Sequence, residues 1–179
     1  MTYHHLGVAR LRMLNSSDHI ARIVYGSWLL DCALGPSGVR ANKQEGDGAT
    51  PAGLLRVRQV LYRSDRVRRP LTPHVVRPLR PSDGWCDAVG DRNYNRPVPH
   101  PYPASAEALW RQDGLYDVLV VLGYNDLPRV QGRGSCIFMH IARPGLAPTE
   151  GCIALALNDL MRLLEARQPL HVLDTRPVA

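Results

Sequence analysis

Cys136-Ile137-Phe138-Met139-His140-Ile141-Ala142-Arg143-Pro144-Gly145-Leu146-Ala147-Pro148-Thr149-Glu150-Gly151-Cys152-Ile153-Ala154-Leu155 holds two apolar runs separated by a turn-rich stretch. The run Cys136 to Ile141 reads as a strand, Pro144-Gly145 as a turn, and the segment through Cys152 as a second extended piece that returns beside the first. Just upstream, Tyr116 to Leu122 is an uninterrupted Val/Leu run and reads as a central strand, with Cys136 to Ile141 as its neighbour. Just downstream the period changes. Leu157, Leu160, Met161 and Leu164 recur at helical spacing, with Asn158 available as a cap and Pro169 as a terminator, and a last strand follows at Leu170 to Leu173.

Moving toward the N-terminus, Leu6 to Leu34 reads as two or three antiparallel strands, with Val8, Ile20, Ile23, Val24, Trp28, Leu29 and Leu30 in short apolar or alternating runs. The breaks between them are Asn15-Ser16-Ser17-Asp18 and Gly26-Ser27. A turn-rich segment from Gly35 to Pro51 leads into a strand near Leu54 to Tyr62. Residues 70–103 carry many prolines and few apolar runs and read as a wrapping excursion that contains Trp85 and Tyr94. Ala104 to Trp110 fits a short helix, with Ser105 as its N-cap and Leu109 and Trp110 facing inward. The expected fold is mainly β (α+β), one domain over residues 1–179 with one or two helices.

The chain has 179 residues, 45% of them apolar and 21% charged, which argues for a packed core and against disorder. Its formal charge of +6 comes from Arg more than Lys, and Arg favours planar contact with carboxylates or phosphates. Nucleic acid is not the expected partner. No zinc-finger spacing or RRM signature appears, and the basic run Arg63 to Arg69 is broken by Asp65 and stopped by Pro70. Four scattered cysteines, Cys32, Cys86, Cys136 and Cys152, lack the paired spacing of zinc sites, so no metal is expected. One or two disulfides and buried free thiols both remain open. No apolar run reaches the length of a membrane span, and Met1 to Arg10 has no charged start followed by an apolar stretch, so no signal peptide is visible.

The chemistry concentrates in His140 and Cys152, twelve positions apart. A strand, a turn and a second extended segment over that distance can bring the two side chains together. Thiolate is the attacking species, and a neighbouring imidazolium would lower the thiol pKa into a useful range. Gly151 allows close approach of substrate, and the backbone N–H groups of Gly151 and Cys152 are candidates for an oxyanion hole. The plainer reading is an inert buried Cys and a hydrogen-bonded His at a strand end.

Thr149-Glu150-Gly151-Cys152-Ile153-Ala154-Leu155, with His140 upstream, resembles the catalytic signature of YkuD-type L,D-transpeptidases, commonly Ser-His-Gly-Cys-Ile-Arg-Leu. Lys43-Gln44-Glu45-Gly46-Asp47-Gly48-Ala49-Thr50-Pro51-Ala52-Gly53 is similar to that family's Gly-x-Thr-Pro-x-Gly strand connection. Asp83 to Asp87, Asp91 to Arg96 and Leu122 to Asn125 resemble a proteobacterial branch. The resemblance implies a YkuD-like β-sandwich or barrel, no cofactor, and peptidoglycan stem peptides as donor and acceptor. It also implies a periplasmic location. Cys152 takes the nucleophile's position and His140 that of its base, while Tyr124 resembles the tyrosine of the donor groove.

Two departures stand out, Glu150 for the signature His and Ala154 for the signature Arg. Arg133 and Arg143 are candidates to replace that Arg. Glu150 could accept from His140 and fix its tautomer, or contact a substrate amine. Trp85, Asp87, Tyr94 and Asn125 complete the candidates, with Trp85 weighed as a loop anchor as well as a substrate contact. Both departures lie where the stem peptide is read, which favours a donor cut after its first residue, L-alanine (1,3-type cross-links), over one cut after the third (3,3-type). The alternatives are an L,D-carboxypeptidase or endopeptidase, in which water takes the acyl group, and a non-catalytic peptidoglycan-binding module.

Overall fold

A computed structural model describes residues 7–14 and 19–177; the turn expected at Asn15 to Asp18 lies outside them. Three strands open the chain, β1 (Gly7–Met13), β2 (Ile20–Tyr25) and β3 (Trp28–Ala33), paired antiparallel in sequence. In β1, Ala9 and Leu11 are buried while Val8, Arg10 and Arg12 point outward, the period-two pattern of a strand with one covered face. The turn-rich segment contains only the two-residue strands β4 (Val39–Arg40) and β5 (Thr50–Pro51), paired parallel. Then come β6 (Leu54–Tyr62) and β7 (Val76–Pro78). The proline-rich excursion is more ordered than its composition suggests. It supplies β8 (Asp83–Cys86) and β9 (Arg96–Pro99), which with β10 (Ala106–Ala108) form a three-stranded sheet in the order β10-β8-β9.

The helix expected over 104–110 is therefore strand β10. Ala, Glu, Leu and Trp tolerate a helix, but Ala106, Glu107 and Ala108 pair antiparallel with Cys86, Trp85 and Gly84, and the tertiary pairing overrides local preference. Ser105 caps nothing; its carbonyl accepts from the N–H of Asp87 at 3.3 Å. The remaining elements are β11 (Val118–Gly123), β12 (Phe138–Ile141), a short 3-10 turn at Pro144–Leu146, β13 (Ile153–Leu155), α1 (Leu157–Glu165) and β14 (Leu170–Asp174). The N-cap of α1 is Ala156 with no side-chain cap, so Asn158 does not cap it, and the helix ends before Pro169 is reached.

The large sheet runs β11-β12-β13-β3-β2-β1-β14-β6-β7, and β11 also pairs with β6, so eight of its strands close into a barrel. Closure removes the exposed edges that an open sheet would leave. Alternation then sorts the wall into two layers. Val118, Val120 and Leu122 of β11, Met139 of β12 and Ile153 and Leu155 of β13 join the main core with Leu160, Leu163 and Leu164 of α1. Leu119 and Val121 of β11, Phe138 of β12 and Cys152 face the other way, into a second cluster with Trp85, Leu109, Leu115 and Tyr116. The three-stranded sheet is thus packed on the outside of the barrel wall, and the two faces of β11 and β12 are both covered.

Candidate active site

β12 and β13 run parallel, with Met139 opposite Ile153 and His140 opposite Ala154. That register puts Phe138, His140 and Cys152 on the outer face of the wall, where alternation along each strand sends them. His140 and Cys152 line one cavity of about 200 Å³ together with Glu45, Asp87, Glu107, Arg111, Tyr116, Ser135, Cys136, Arg143, Glu150 and Ala154.

Cys152 is 8% exposed. Its Sγ donates to the carbonyl of Cys136 at 3.1 Å and accepts from the N–H of Phe138 at 3.4 Å. Burial, and then the negative charge of Glu107, pushes the thiol up to about 12. Cys136 holds a left-handed backbone (φ 54°), unusual for a residue with a side chain, and this turns its carbonyl onto the Cys152 sulfur. All four cysteines are free thiols.

His140 is 6% exposed, and its Nδ1 lies 2.9 Å from the carbonyl of Ile141. A carbonyl only accepts, so Nδ1 carries the proton and Nε2 the lone pair. Burial, with the guanidiniums of Arg111 and Arg143 adding to it, depresses the imidazole to about 4. Burial works against the expected imidazolium beside a thiolate: it favours an uncharged thiol and an uncharged imidazole as the resting pair, because neither charged form is solvated there. The tautomer is fixed by the Ile141 carbonyl and not by Glu150, which is exposed and lies at the cavity mouth.

The loop before Cys152 is tied by Thr149, whose Oγ1 donates to the Cys152 carbonyl at 2.7 Å and accepts from the N–H of Gly151 at 3.1 Å. The N–H of Gly151 is thereby spent, which corrects its assignment to an oxyanion hole; that of Cys152 has no partner among the described residues. Gly151 itself is required by shape. Its φ is +126°, and a Cβ there would lie 2.6 Å from the backbone oxygen of Ala49. The same Cβ would lie 3.5 Å from Nζ of Lys43, a buried lysine whose charge favours the Cys152 thiolate. Lys43 donates to Asp47 at 2.8 Å, and Asp47 also accepts from the N–H groups of Gln44 and Ala49.

Several of the residues expected as substrate contacts make structural hydrogen bonds. The indole of Trp85 donates to Asn95 Oδ1 at 2.9 Å and meets Phe138 edge-on at 5.4 Å between ring centres, so Trp85 anchors the outer sheet to the wall. Asn125 spends its amide on the carbonyls of Val130 and Gly134, both at 2.9 Å, and on the N–H of Val130 at 2.8 Å. The hydroxyl of Tyr124 donates to the carbonyl of Arg133 at 2.7 Å. Tyr94 donates to Glu45 at 2.5 Å. Tyr94, Tyr124, Asn125, Trp85 and Arg133 do not line the cavity; Arg143 does.

Residues that sequence reading passed over complete the wall. Tyr116 packs its ring against His140 at 5.2 Å between centres, and its hydroxyl donates to Glu107. Arg111 approaches Glu107 at 3.6 Å and Asp113 at 2.5 Å. In the sequence Glu107 stood inside a supposed helix, and only its place between two alanines, Ala106-Glu107-Ala108, hinted at a strand with one inward polar side chain.

A family model, that of the YkuD L,D-transpeptidase catalytic domain, matches residues 13–172. No curated protein and no solved structure matches the chain.

Proposed function

The chain belongs to the YkuD L,D-transpeptidase family, and from that premise we propose that it is a cysteine acyl-transferase joining peptidoglycan stem peptides. The observation that carries the reading is the shared cavity of Cys152 and His140, with the lone pair of His140 on Nε2. His140 takes the Sγ proton as sulfur attacks the donor carbonyl, so a neutral pair ionises only as the C–S bond forms. The N–H of Cys152 and the charge of Lys43 oppose the negative charge that develops on oxygen. The C–N bond then breaks and His140 returns its proton to the leaving amine, which leaves a thioester on Cys152. The acceptor amine displaces the sulfur and completes the cross-link.

A cavity of about 200 Å³ is small against the roughly 300–1,000 Å³ of ordinary ligand pockets. This supports a short donor ending at L-alanine, hence 1,3-type cross-links. Arg143, at the cavity wall, is the candidate for the guanidinium that Ala154 replaces. Such substrates lie outside the cytoplasmic membrane, so the proposed workplace is the periplasm.

The test is purified protein with defined stem peptides, with and without an acceptor amine, read by product mass. The expected results are an acyl adduct on Cys152, its loss in Cys152→Ala, and a cross-linked product only with acceptor. Hydrolysed donor alone, even with acceptor present, would make the protein a carboxypeptidase or endopeptidase. Cross-links made only through the third stem residue would overturn the donor assignment and leave the nucleophile standing.

A further inference from the structure

The cavity that holds Cys152 and His140 is also lined by four carboxylates, and these are not equivalent. Glu45 is committed to the hydroxyls of Tyr94 (2.5 Å) and Ser135 (2.7 Å). Glu150 is exposed at the mouth. Glu107 and Asp87 belong to the outer sheet and its edge, where β10 pairs with β8 and the N–H of Asp87 donates to the carbonyl of Ser105. They line the cavity from the outer sheet, whereas Cys152 and His140 line it from the barrel wall.

Glu107 is held in place by the Tyr116 hydroxyl and only partly neutralised. Arg111 lies 3.6 Å from it but gives its closer contacts, down to 2.5 Å, to Asp113. Burial raises the carboxyl of Glu107, with the Tyr116 hydrogen bond and Arg111 opposing that shift, so as an anion it is a better proton acceptor than an exposed glutamate. Asp87 gives an independent sign. Asp87 lines the same cavity, and its Oδ1 is buried with no hydrogen-bond partner among the described residues, so no donor offsets the charge of this carboxylate oxygen. A carboxylate left without donors beside a cavity favours a cationic occupant.

On the reading of the chain as a transpeptidase, we infer that Glu107 and Asp87 form the seat of the acceptor's ammonium group and that Glu107 is the base that makes it nucleophilic. An amine enters as R–NH3+ and cannot attack in that form. One proton passes from nitrogen to a Glu107 oxygen, leaving R–NH2. The nitrogen lone pair forms the C–N bond to the thioester carbon and the C–S bond breaks with its electron pair on sulfur. The second nitrogen proton reaches Cys152 by way of His140 Nε2, and Glu107 releases its proton to water. Water needs no such seat, so Glu107 and Asp87 bias the acyl-enzyme toward transfer over hydrolysis.

The test reads how the acyl-enzyme partitions, which is independent of how fast it forms. Wild type, Glu107→Gln and Asp87→Asn are each given a stem-peptide donor with either a cationic amine acceptor or hydroxylamine, which is already uncharged at neutral pH. Products of transfer and hydrolysis are counted by mass. The expected result is a tenfold or greater fall in the amine-to-water ratio for Glu107→Gln and a smaller fall for Asp87→Asn, with the hydroxylamine-to-water ratio within about twofold of wild type. Equal losses with both acceptors, or no change with either, would overturn the seat. Should Glu107→Gln fail to fold, Asp87→Asn reads the same seat by the same ratio. A wild-type protein that forms no acyl-enzyme at all would overturn the transpeptidase reading instead.

Discussion

At the scale of single residues, burial of both groups favours the uncharged form of the pair Cys152 and His140 at rest. A thiol held near 12 is mostly protonated at physiological pH, and only its thiolate fraction is alkylated. The rate of Cys152 alkylation by a small uncharged reagent is therefore expected to rise about tenfold per pH unit between pH 6 and 9. A rate already level below pH 7 would mean a standing thiolate and would refute the neutral pair. That Cys152 and His140 meet in one cavity was legible in the sequence because motif and spacing belong to one short stretch. Their charge state was not, since it depends on the cover contributed by Tyr116, Glu107 and Arg111, which are remote in sequence from Cys152. The left-handed Cys136 was equally hidden, because nothing in its residue type asks for that backbone.

At the scale of elements, apolar periodicity revealed β6, β11, β12, α1 and β14 to within a few residues. It failed for the outer sheet. Strands of three or four residues rich in Pro, such as Arg96–Pro99, are too short to show a period, and β10 is made of residues that also suit a helix. Trp85 holds this sheet on the barrel through the edge of Phe138 and the amide of Asn95. Trp85→Ala is expected to lower unfolding stability by about 3–5 kcal/mol in a urea titration. Trp85→Phe should cost less, because it keeps an aromatic ring and loses one hydrogen bond worth about 1 kcal/mol, and Asn95 Oδ1 still accepts from the N–H of Cys136. If both variants unfold within experimental error of wild type, Trp85 is not the anchor.

Over the whole molecule, stability depends on which state takes up protons as pH falls. His140 is depressed to about 4 in the fold against an ordinary value near 6.5. Its contribution is present above pH 6.5 and is lost as pH falls from there toward 4, because the unfolded chain binds the proton that the fold refuses. The loss is on the order of 3 kcal/mol. His74, also lowered by burial, adds to it. Asp47, Asp113, Glu165 and Asp174 are held low by hydrogen bonds and ion pairs, so their contributions fail only at more acid pH. Glu107 is raised and works the other way, gaining stability as it protonates. The melting temperature should fall between pH 6.5 and 4, and His140→Gln should flatten that portion of the curve. Equal slopes for the two proteins would show that His140 does not resist protonation.

The closed ring gives Cys152 an unusual dependence on the rest of the chain. β13, which follows Cys152 directly, is hydrogen-bonded to β12 on one side and β3 on the other, and all three of its residues are buried. Its amides can exchange with solvent only through openings that break the barrel. Cys152 thus has no local stability of its own to lose, and heat or denaturant would abolish the proposed activity and the fold in one cooperative event.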